Sequence, residues 1–320
     1  MADGTLIQKG SFTADGNNKT LKIRSDVDKL VIENQTQWAA SNNGYGFRYT
    51  WYKDMGTSAL MEFHPAADHT SAVNTSAAAI TLINSSTYAG GSWVAMTAGT
   101  NAVGPQYSTA STAGLATGSI VRIKSTDQTN LNGLDFSIDS IVANTTFDLA
   151  NNLATAPGKV AGAAGSYKLV APNVETYSMF TPSNRNIANI SKAASGVVTT
   201  LVDHGYSVGQ KVKFHIPADY KMIELDSVEA NITAVTASTF TIDIDTSGYT
   251  AFVFPTYDKT PFVYADVVPV GDAKNTAVMY NNPSKFYNQG YIGVILTSGT
   301  ASPAGNLNDV IRWTAYKSEN

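Results

Sequence analysis

Hydrophobic and polar positions alternate with a period of two along most of this chain. Thr20-Leu21-Lys22-Ile23-Arg24 reads polar, apolar, polar, apolar, polar, and Phe47-Arg48-Tyr49-Thr50-Trp51-Tyr52-Lys53 sets aromatic against polar positions. Lys29-Leu30-Val31-Ile32-Glu33 is a short apolar run with charged ends. Each is bounded by Gly, Asn, Asp or Ser, which end strands and begin turns. No convincing amphipathic helix of ten or more residues appears. The best helical candidate is 71–85, with Ala77-Ala78-Ala79-Ile80 at its centre, and its β-branched flanks weaken it. The pattern predicts an all-β protein of short strands. Segments 86–117 and 154–166, rich in Gly, Ala, Ser and Thr, read as long loops or weak strands.

The middle of the chain repeats. Gly114-Leu-Ala-Thr-Gly118-Ser-Ile-Val121-Arg-Ile123 matches Gly205-Tyr-Ser-Val-Gly209-Gln-Lys-Val212-Lys-Phe214. Leu131 then matches Leu225, and Val142-Ala-Asn-Thr-Thr-Phe147-Asp-Leu149 matches Val235-Thr-Ala-Ser-Thr-Phe240-Thr-Ile242. The spacing drifts by only a few residues, as loop insertions would cause. Each copy reads as turn, strand, long loop, strand, tight turn and strand. A unit of this kind can close into a small barrel and so remove its exposed strand edges.

The second copy, His204-Gly205-Tyr206-Ser-Val-Gly209-Gln210-Lys-Val212, then Met222, Leu225 and Ser238-Thr-Phe240, resembles the first catalytic-cysteine half-domain of ubiquitin-activating enzymes. Gln210 stands where that family usually has Asp, and Lys221 where Gly normally precedes the Met; the first copy lacks the His-Gly opening. Similar modules recur in structural and tail-associated proteins of tailed bacteriophages. The chain contains no cysteine, so the resemblance implies the β module and none of the ubiquitin-activating chemistry.

The flanks are similar to the framework parts of phage virion proteins that carry such modules inside them. At the N-terminal side these are Gly10-Ser-Phe12, Leu21-Lys-Ile23 and Asp26-Val27-Asp28 through Thr36. At the C-terminal side they are Gly290-Tyr-Ile-Gly-Val-Ile-Leu296 and Asp309-Val-Ile-Arg-Trp313. A few strands in each part are marginal for a core of their own. Together they predict one split β-sandwich with Trp38, Trp51 and Trp313 available for its interior and with neighbouring chain ends. The expected organisation is a framework over 1–65, a first inserted β-barrel-like module over 66–172, a second over 173–256, and the framework completed by 257–320.

Composition narrows the function. Twenty-one Lys and Arg against 25 Asp and Glu leave a net charge of −4, and only 14% of the 320 residues are charged, against about 25% in soluble proteins. With 43% hydrophobic residues, disorder as the main state is excluded. No basic block suits nucleic acid, and no apolar run approaches a membrane span. Met1-Ala2-Asp3-Gly4-Thr5 lacks the charged-then-apolar pattern of a signal peptide. A surface of Thr, Ser, Asn and Gly suits lasting contact with neighbours, because burying neutral polar groups costs less than burying ions.

Catalytic and metal constellations are weak. Glu62-Phe63-His64-Pro65-Ala66-Ala67-Asp68-His69 clusters possible metal ligands, but Pro65 prevents a regular helix that would align them. Gly205-Tyr206-Ser207-Val208-Gly209 matches Gly-x-Ser-x-Gly literally, yet a strand-like sequence follows it where a nucleophile elbow needs a helix. Asp243 and Asp245 fall on one face of an expected strand, as do Asp26 and Asp28, and read as solvated strand positions. Asp243-Ile-Asp245-Thr-Ser247-Gly248 opens like a calcium loop, but Phe254 occupies the place of its closing Glu. His204 is expected to bond the backbone of its own barrel.

No catalytic residue, cofactor or metal ligand is assigned. Tyr280, Phe286, Tyr287 and Tyr291, set among Asn281-Asn-Pro283 and Asn288-Gln-Gly290, form the candidate contact loop. The expectation is a non-enzymatic structural protein of a phage virion, made in the host cytoplasm. It would form a homo-oligomer in the tail or neck and bridge to other virion structural proteins, with neither nucleic acid nor membrane as partner. The alternatives are a capsid-decoration or head-fibre protein and, from another class, an adhesin module for a host glycan or surface protein.

Overall fold

A computed structural model describes residues 4–24, 26–39, 48–63, 71–74, 79–83, 92–125, 127–158, 165–181, 183–256, 263–271, 291–299 and 302–317. In chain order the framework strands are β1 (Thr5–Thr13), β2 (Lys19–Arg24), β3 (Lys29–Asn34), β4 (Arg48–Tyr52), β5 (Leu60–Phe63), β6 (Ser71–Asn74) and β7 (Ile80–Ile83), with the short helix α1 (Gln35–Ala39) after β3. The first barrel contains β8 (Val94–Gly99), β9 (Gln106–Thr109), β10 (Ile120–Ser125), β11 (Asp135–Val142), β12 (Thr146–Leu149) and β13 (Gly165–Ala171). Helix α2 (Val174–Phe180) follows. The second barrel contains β14 (Arg185–Ile190), β15 (Val197–Thr200), β16 (Lys211–His215), β17 (Glu229–Val235), β18 (Thr239–Ile242) and β19 (Asp266–Pro269). β20 (Tyr291–Leu296) and β21 (Val310–Lys317) return to the framework.

The fold is all-β, a split sandwich with two inserted barrels. One compact unit comprises Met1–Thr87 with Asn288–Asn320, and the other Tyr88–Tyr287. The strands move the boundaries drawn from sequence. β6 and β7 join the framework sheets beyond residue 65, and β19 closes the second barrel beyond residue 256. Within the 71–85 stretch the described residues Ser71–Asn74 and Ile80–Ile83 form the strands β6 and β7 in place of the candidate helix, consistent with the β-branched flanks; 75–78 and 84–85 lie outside the described residues.

In the framework, a six-stranded sheet in the order β1-β21-β3-β4-β5-β6 faces a three-stranded sheet in the order β2-β20-β7. The first and last strands are hydrogen-bonded neighbours, with Thr5 opposite Lys317 and Thr13 opposite Val310. Alternation sends Leu30, Ile32, Tyr49, Trp51, Leu60, Ile311 and Ala315 inward against Leu21, Ile23, Ile80, Val294 and Leu296. Trp51 is fully buried, and its indole N–H donates to the Gly56 carbonyl at 2.8 Å. Trp313 is partly buried against this core, over Gly10, where a Cβ would come within 2.7 Å of the indole. Trp38 does not enter the core; it is 49% exposed on α1. Gln8 ties the two sheets: its side-chain amide donates to the Lys22 carbonyl and accepts from the Arg24 N–H, both at 3.1 Å.

The barrels share one topology. The first closes as β10-β11-β12-β9-β8-β13 and the second, read from β16, as β16-β17-β18-β15-β14-β19. Equivalent residues make equivalent bonds. Gly118 and Gly209, both with φ near +83°, donate to Ile138 and Ile232 carbonyls at 2.8 Å. Gly133 and Ser227 donate to Ile123 and Phe214 carbonyls. Phe147 packs between Tyr107 and Tyr167 in the first barrel; its counterpart Phe240 packs against His204 and Tyr206 in the second. One hydrophobic cluster runs through both barrels. Asn130 Nδ2 to the Pro255 carbonyl (2.8 Å) and Thr155 Oγ1 to the Phe254 carbonyl (3.1 Å) connect them further.

The copies diverge at one cross-strand pair. Arg122 and Asp135 lie opposite each other on β10 and β11 and form a bidentate pair at 2.7 and 2.8 Å, almost fully buried. The corresponding pair in the second barrel is Lys213 opposite Glu229, on the exposed face. In the first barrel Tyr177 of α2 bonds Asp135, and burial, followed by the Asp135 charge, pushes the Tyr177 hydroxyl well above its ordinary pKa. The Arg185 guanidinium at the start of β14 sits 5.3 Å from the Tyr177 ring centre. Arg suits the buried copy because its planar fork satisfies a carboxylate without water, whereas Lys suits the wet one.

Breaking this pair leaves a buried uncompensated charge, while replacing both partners by apolar groups removes the desolvation cost as well. Asp135→Ala is expected to destabilise the barrel unit by about 3–5 kcal/mol, and the double change Arg122→Met/Asp135→Leu by far less. Urea denaturation of both variants checks this; a double variant as unstable as the single one would contradict it.

Candidate interaction face

The outward side of the six-stranded sheet carries the other half of the alternation. The register lines its residues into rows. Ser11, Arg312, Glu33, Arg48 and Phe63 lie opposite one another across β1, β21, β3, β4 and β5. The next row is Lys9, Thr314, Val31, Thr50 and Met61, and a third sets Lys29 between Tyr316 and Tyr52. The Lys29 ammonium lies 5.6 Å from the Tyr316 ring centre and 6.0 Å from that of Tyr52, close enough for cation–π attraction.

Among the described residues this face holds four cations, Lys9, Lys29, Arg48 and Arg312, and one carboxylate, Glu33, in a chain whose net charge is −4. Glu33 lies between two arginines in its row and pairs with Arg48 at 3.4 Å. Val31 forms a buried floor, while Leu6, Tyr52 and Met61 stay exposed. A depression of about 480 Å³ runs over these rows, lined by Lys9, Val31, Glu33, Arg48, Arg312 and Tyr316 among others. Tyr, Met and Arg over an apolar floor, with few carboxylates, is the composition of protein interfaces. At the edge, Asp26 is held by Arg24 at 2.7 and 3.0 Å, and that bond keeps its carboxyl below the usual range.

The residues singled out from sequence fall elsewhere. Tyr280, Phe286 and Tyr287 lie outside the described residues; Tyr291 opens β20 opposite Arg24, and its side chain is likewise outside them. His64, Asp68 and His69 also lie outside, while Glu62 points into the sandwich opposite Tyr49. Ser207 sits in the turn before β16, its N–H bonded to Gln210 Oε1 at 3.1 Å, and no helix follows. Asp243 and Asp245 lie past the end of β18, not on a strand face. Asp243 accepts from both the backbone and side-chain amides of Asn231, and Asp245 accepts from Ser247 through its N–H and hydroxyl. These bonds lower both carboxyl pKa values. Among the described residues, no three His, Asp or Glu side chains are placed to hold a metal ion, and no helix is long and apolar enough to cross a membrane.

His204 is buried in the second barrel. Its Nδ1 accepts from the Tyr206 N–H at 2.9 Å, so the proton is on Nε2, which faces the Thr239 carbonyl at 3.1 Å. The role is architectural, as the sequence suggested. His215 lies on β16, with Nδ1 3.4 Å from Asp226.

The cationic face was missed from sequence because its members come from four separated segments. The signal was present as Lys-x-Ser, Lys-x-Val-x-Glu, Arg-x-Thr-x-Tyr and Arg-x-Thr-x-Tyr at alternate positions, but only the strand order sets them side by side. Comparison with models of known protein families finds no match to the chain, and comparison with curated proteins finds none either.

Desolvation by burial depresses the His204 pKa. The unfolded imidazole binds a proton near pH 6.5 while the folded one resists it, so the unfolded chain holds more protons in that window. Stability is therefore full above about pH 6.5 and declines as pH falls through and below it. Thermal melts taken from about pH 7.5 down to about pH 5 should show this decline, with a shallower slope in His204→Gln. An unchanged slope in the variant would assign the proton uptake elsewhere.

Proposed function

We propose that this chain is a non-enzymatic structural subunit of a tailed-bacteriophage virion. It assembles as a homo-oligomer in the tail or neck region, and its inserted barrels bridge to neighbouring virion proteins. The observation that carries the reading is the split framework: strands from the two ends of the chain pair as β1 and β21, and two barrels of one topology are inserted between them. The resemblance of the barrel motif and of the flanks to phage virion proteins points the same way. So does a charge-poor composition, 14% charged residues, which suits permanent contacts.

A subunit of this kind is stabilised in the particle by intersubunit area, which in obligate interfaces exceeds about 2,000 Å². The outward face of the six-stranded sheet, wide and rich in Tyr and Arg, is suited to contribute to it. Capsid decoration or a head fibre would use the same face against a different lattice.

Antibodies raised against the purified chain should decorate intact phage particles at a fixed position in gold-label electron microscopy, with label at the tail or neck. Particles that bind no label, together with a chain that stays monomeric in size-exclusion chromatography with light scattering, would refute the reading.

A further inference from the structure

The second barrel carries an end that matches the framework face in charge and in apolar character. Between β16 and β17 the chain makes two tight turns, Ala218–Tyr220 and Ile223–Leu225. Asp219 and Glu224 are exposed on them with Lys221 between, and Ile223 is 55% exposed at the tip. Asp226 just beyond is engaged by His215 at 3.4 Å, and the charge of the exposed Lys192 also reaches Glu224. The neighbouring segment brings Val253, 40% exposed, whose N–H donates to the Tyr220 carbonyl at 3.0 Å.

This end is rigid. Tyr220 is buried against Phe252 and Phe254 at ring distances of 5.4 and 5.7 Å. Glu224 accepts from the N–H and hydroxyl of Thr250 at 2.9 and 2.8 Å, and those bonds hold its carboxyl ionised to lower pH than usual. The result is a preformed knob with an aliphatic tip and an acidic collar. The framework face is the reverse: a depression with the aliphatic floor of Val31, ringed by Lys9, Arg48 and Arg312. Among the described residues neither Lys9 nor Arg312 has an ion-pair partner.

We infer that the knob of one copy docks on the framework face of a second copy of this chain. Ile223 and Val253 would cover the floor, and Asp219 and Glu224 would face Arg312 and Lys9. The contact joins two different patches, so each copy both gives and receives one, and the assembly grows as a ring or an open filament instead of stopping at a twofold dimer. This inference rests on the reading of the chain as an assembly subunit and adds the two surfaces that join.

The experiment is sedimentation velocity on the full chain across a concentration series, at about 0.1 M and about 1 M salt, where the screening length falls from about 10 Å to about 3 Å. The wild type is expected to form species larger than dimers that shrink at high salt. Lys9→Glu/Arg312→Glu and Asp219→Lys/Ile223→Lys should each weaken association by at least about tenfold. All four residues lie on the surface, and circular dichroism confirms that each variant is folded. Mixing the two variants should restore mixed oligomers, because the acidic knob of the first then meets the basic face of the second. Arg312→Gln, which changes less, should fall between wild type and the double change. A wild type monomeric at every concentration, variants that associate like the wild type, or a mixture that stays dissociated would each overturn the docking. Particle labelling reports on the virion role separately, so a labelled particle with reversal-insensitive oligomers would remove the docking and leave the reading standing.

Discussion

The pairing of β1 with β21 is the constraint on which the rest of the architecture depends. It joins residues 5–13 to residues 310–317 through eight aligned positions and sets every other strand of the large sheet in order beside it. Closing a loop of this length is costly, but the cost grows only with the logarithm of length. Enlarging the loop from framework size to the full chain adds on the order of 1 kcal/mol. Two barrels can therefore be carried inside the framework at little expense, provided that they bury their own edges. Both do so by closing, which leaves the framework sheets to manage theirs. Gln8 serves that end, since its side-chain amide stands in for a backbone amide between β1 and β2.

Two barrels of one topology carry two different electrostatic solutions. Position for position, Arg122 and Asp135 of the first barrel correspond to Lys213 and Glu229 of the second. Where α2 covers the strands, the pair is dry, bidentate and supported by Tyr177. Where nothing among the described residues covers them, Lys213 and Glu229 remain hydrated, and Glu229 takes a loose ion pair with Lys211 at 3.6 Å. Lys168, on the strand beside Arg122, shows the strain of the dry version. Desolvation, and after it the Arg122 charge, lowers the Lys168 pKa, and its ammonium lies 5.7 Å from the Trp93 ring centre.

The interaction face and the inward face of the large sheet are two readings of the same five strands, β1, β21, β3, β4 and β5. In β21, Ile311 and Ala315 enter the core while Arg312, Thr314 and Tyr316 form the outer rows; β3 divides in the same way between Leu30 and Ile32 inside and Lys29, Val31 and Glu33 outside. Neither face can shift without the other, because a slip of one residue would exchange them. The core thus holds the cations of the outer face at fixed cross-strand spacing. That spacing leaves Glu33 between two arginines and Lys29 between two tyrosines.

Alternation, turn residues and self-similarity settle early what this chain is: strands of short length, a repeated barrel, and terminal segments that need each other. Those properties are local or depend on matching segments, so they can be read one stretch at a time. Gly118 and Gly209 announce the same left-handed turn in both copies, and Phe147 and Phe240 the same aromatic centre. Which side chains become neighbours across strands is a different kind of information. Trp38 looks like core material beside Trp51, yet it stays in solvent because α1 ends the run of β3 before the tryptophan can turn inward. Asp243 and Asp245 look like strand residues, yet β18 stops at Ile242; the Asp243 side chain bonds Asn231 of the neighbouring β17, and that of Asp245 bonds Ser247 in its own turn. The ring of Lys9, Arg48 and Arg312 exists only once β1, β21, β3 and β4 are placed in that order, since strand order is decided by which apolar faces fit together in three dimensions and not by proximity along the chain.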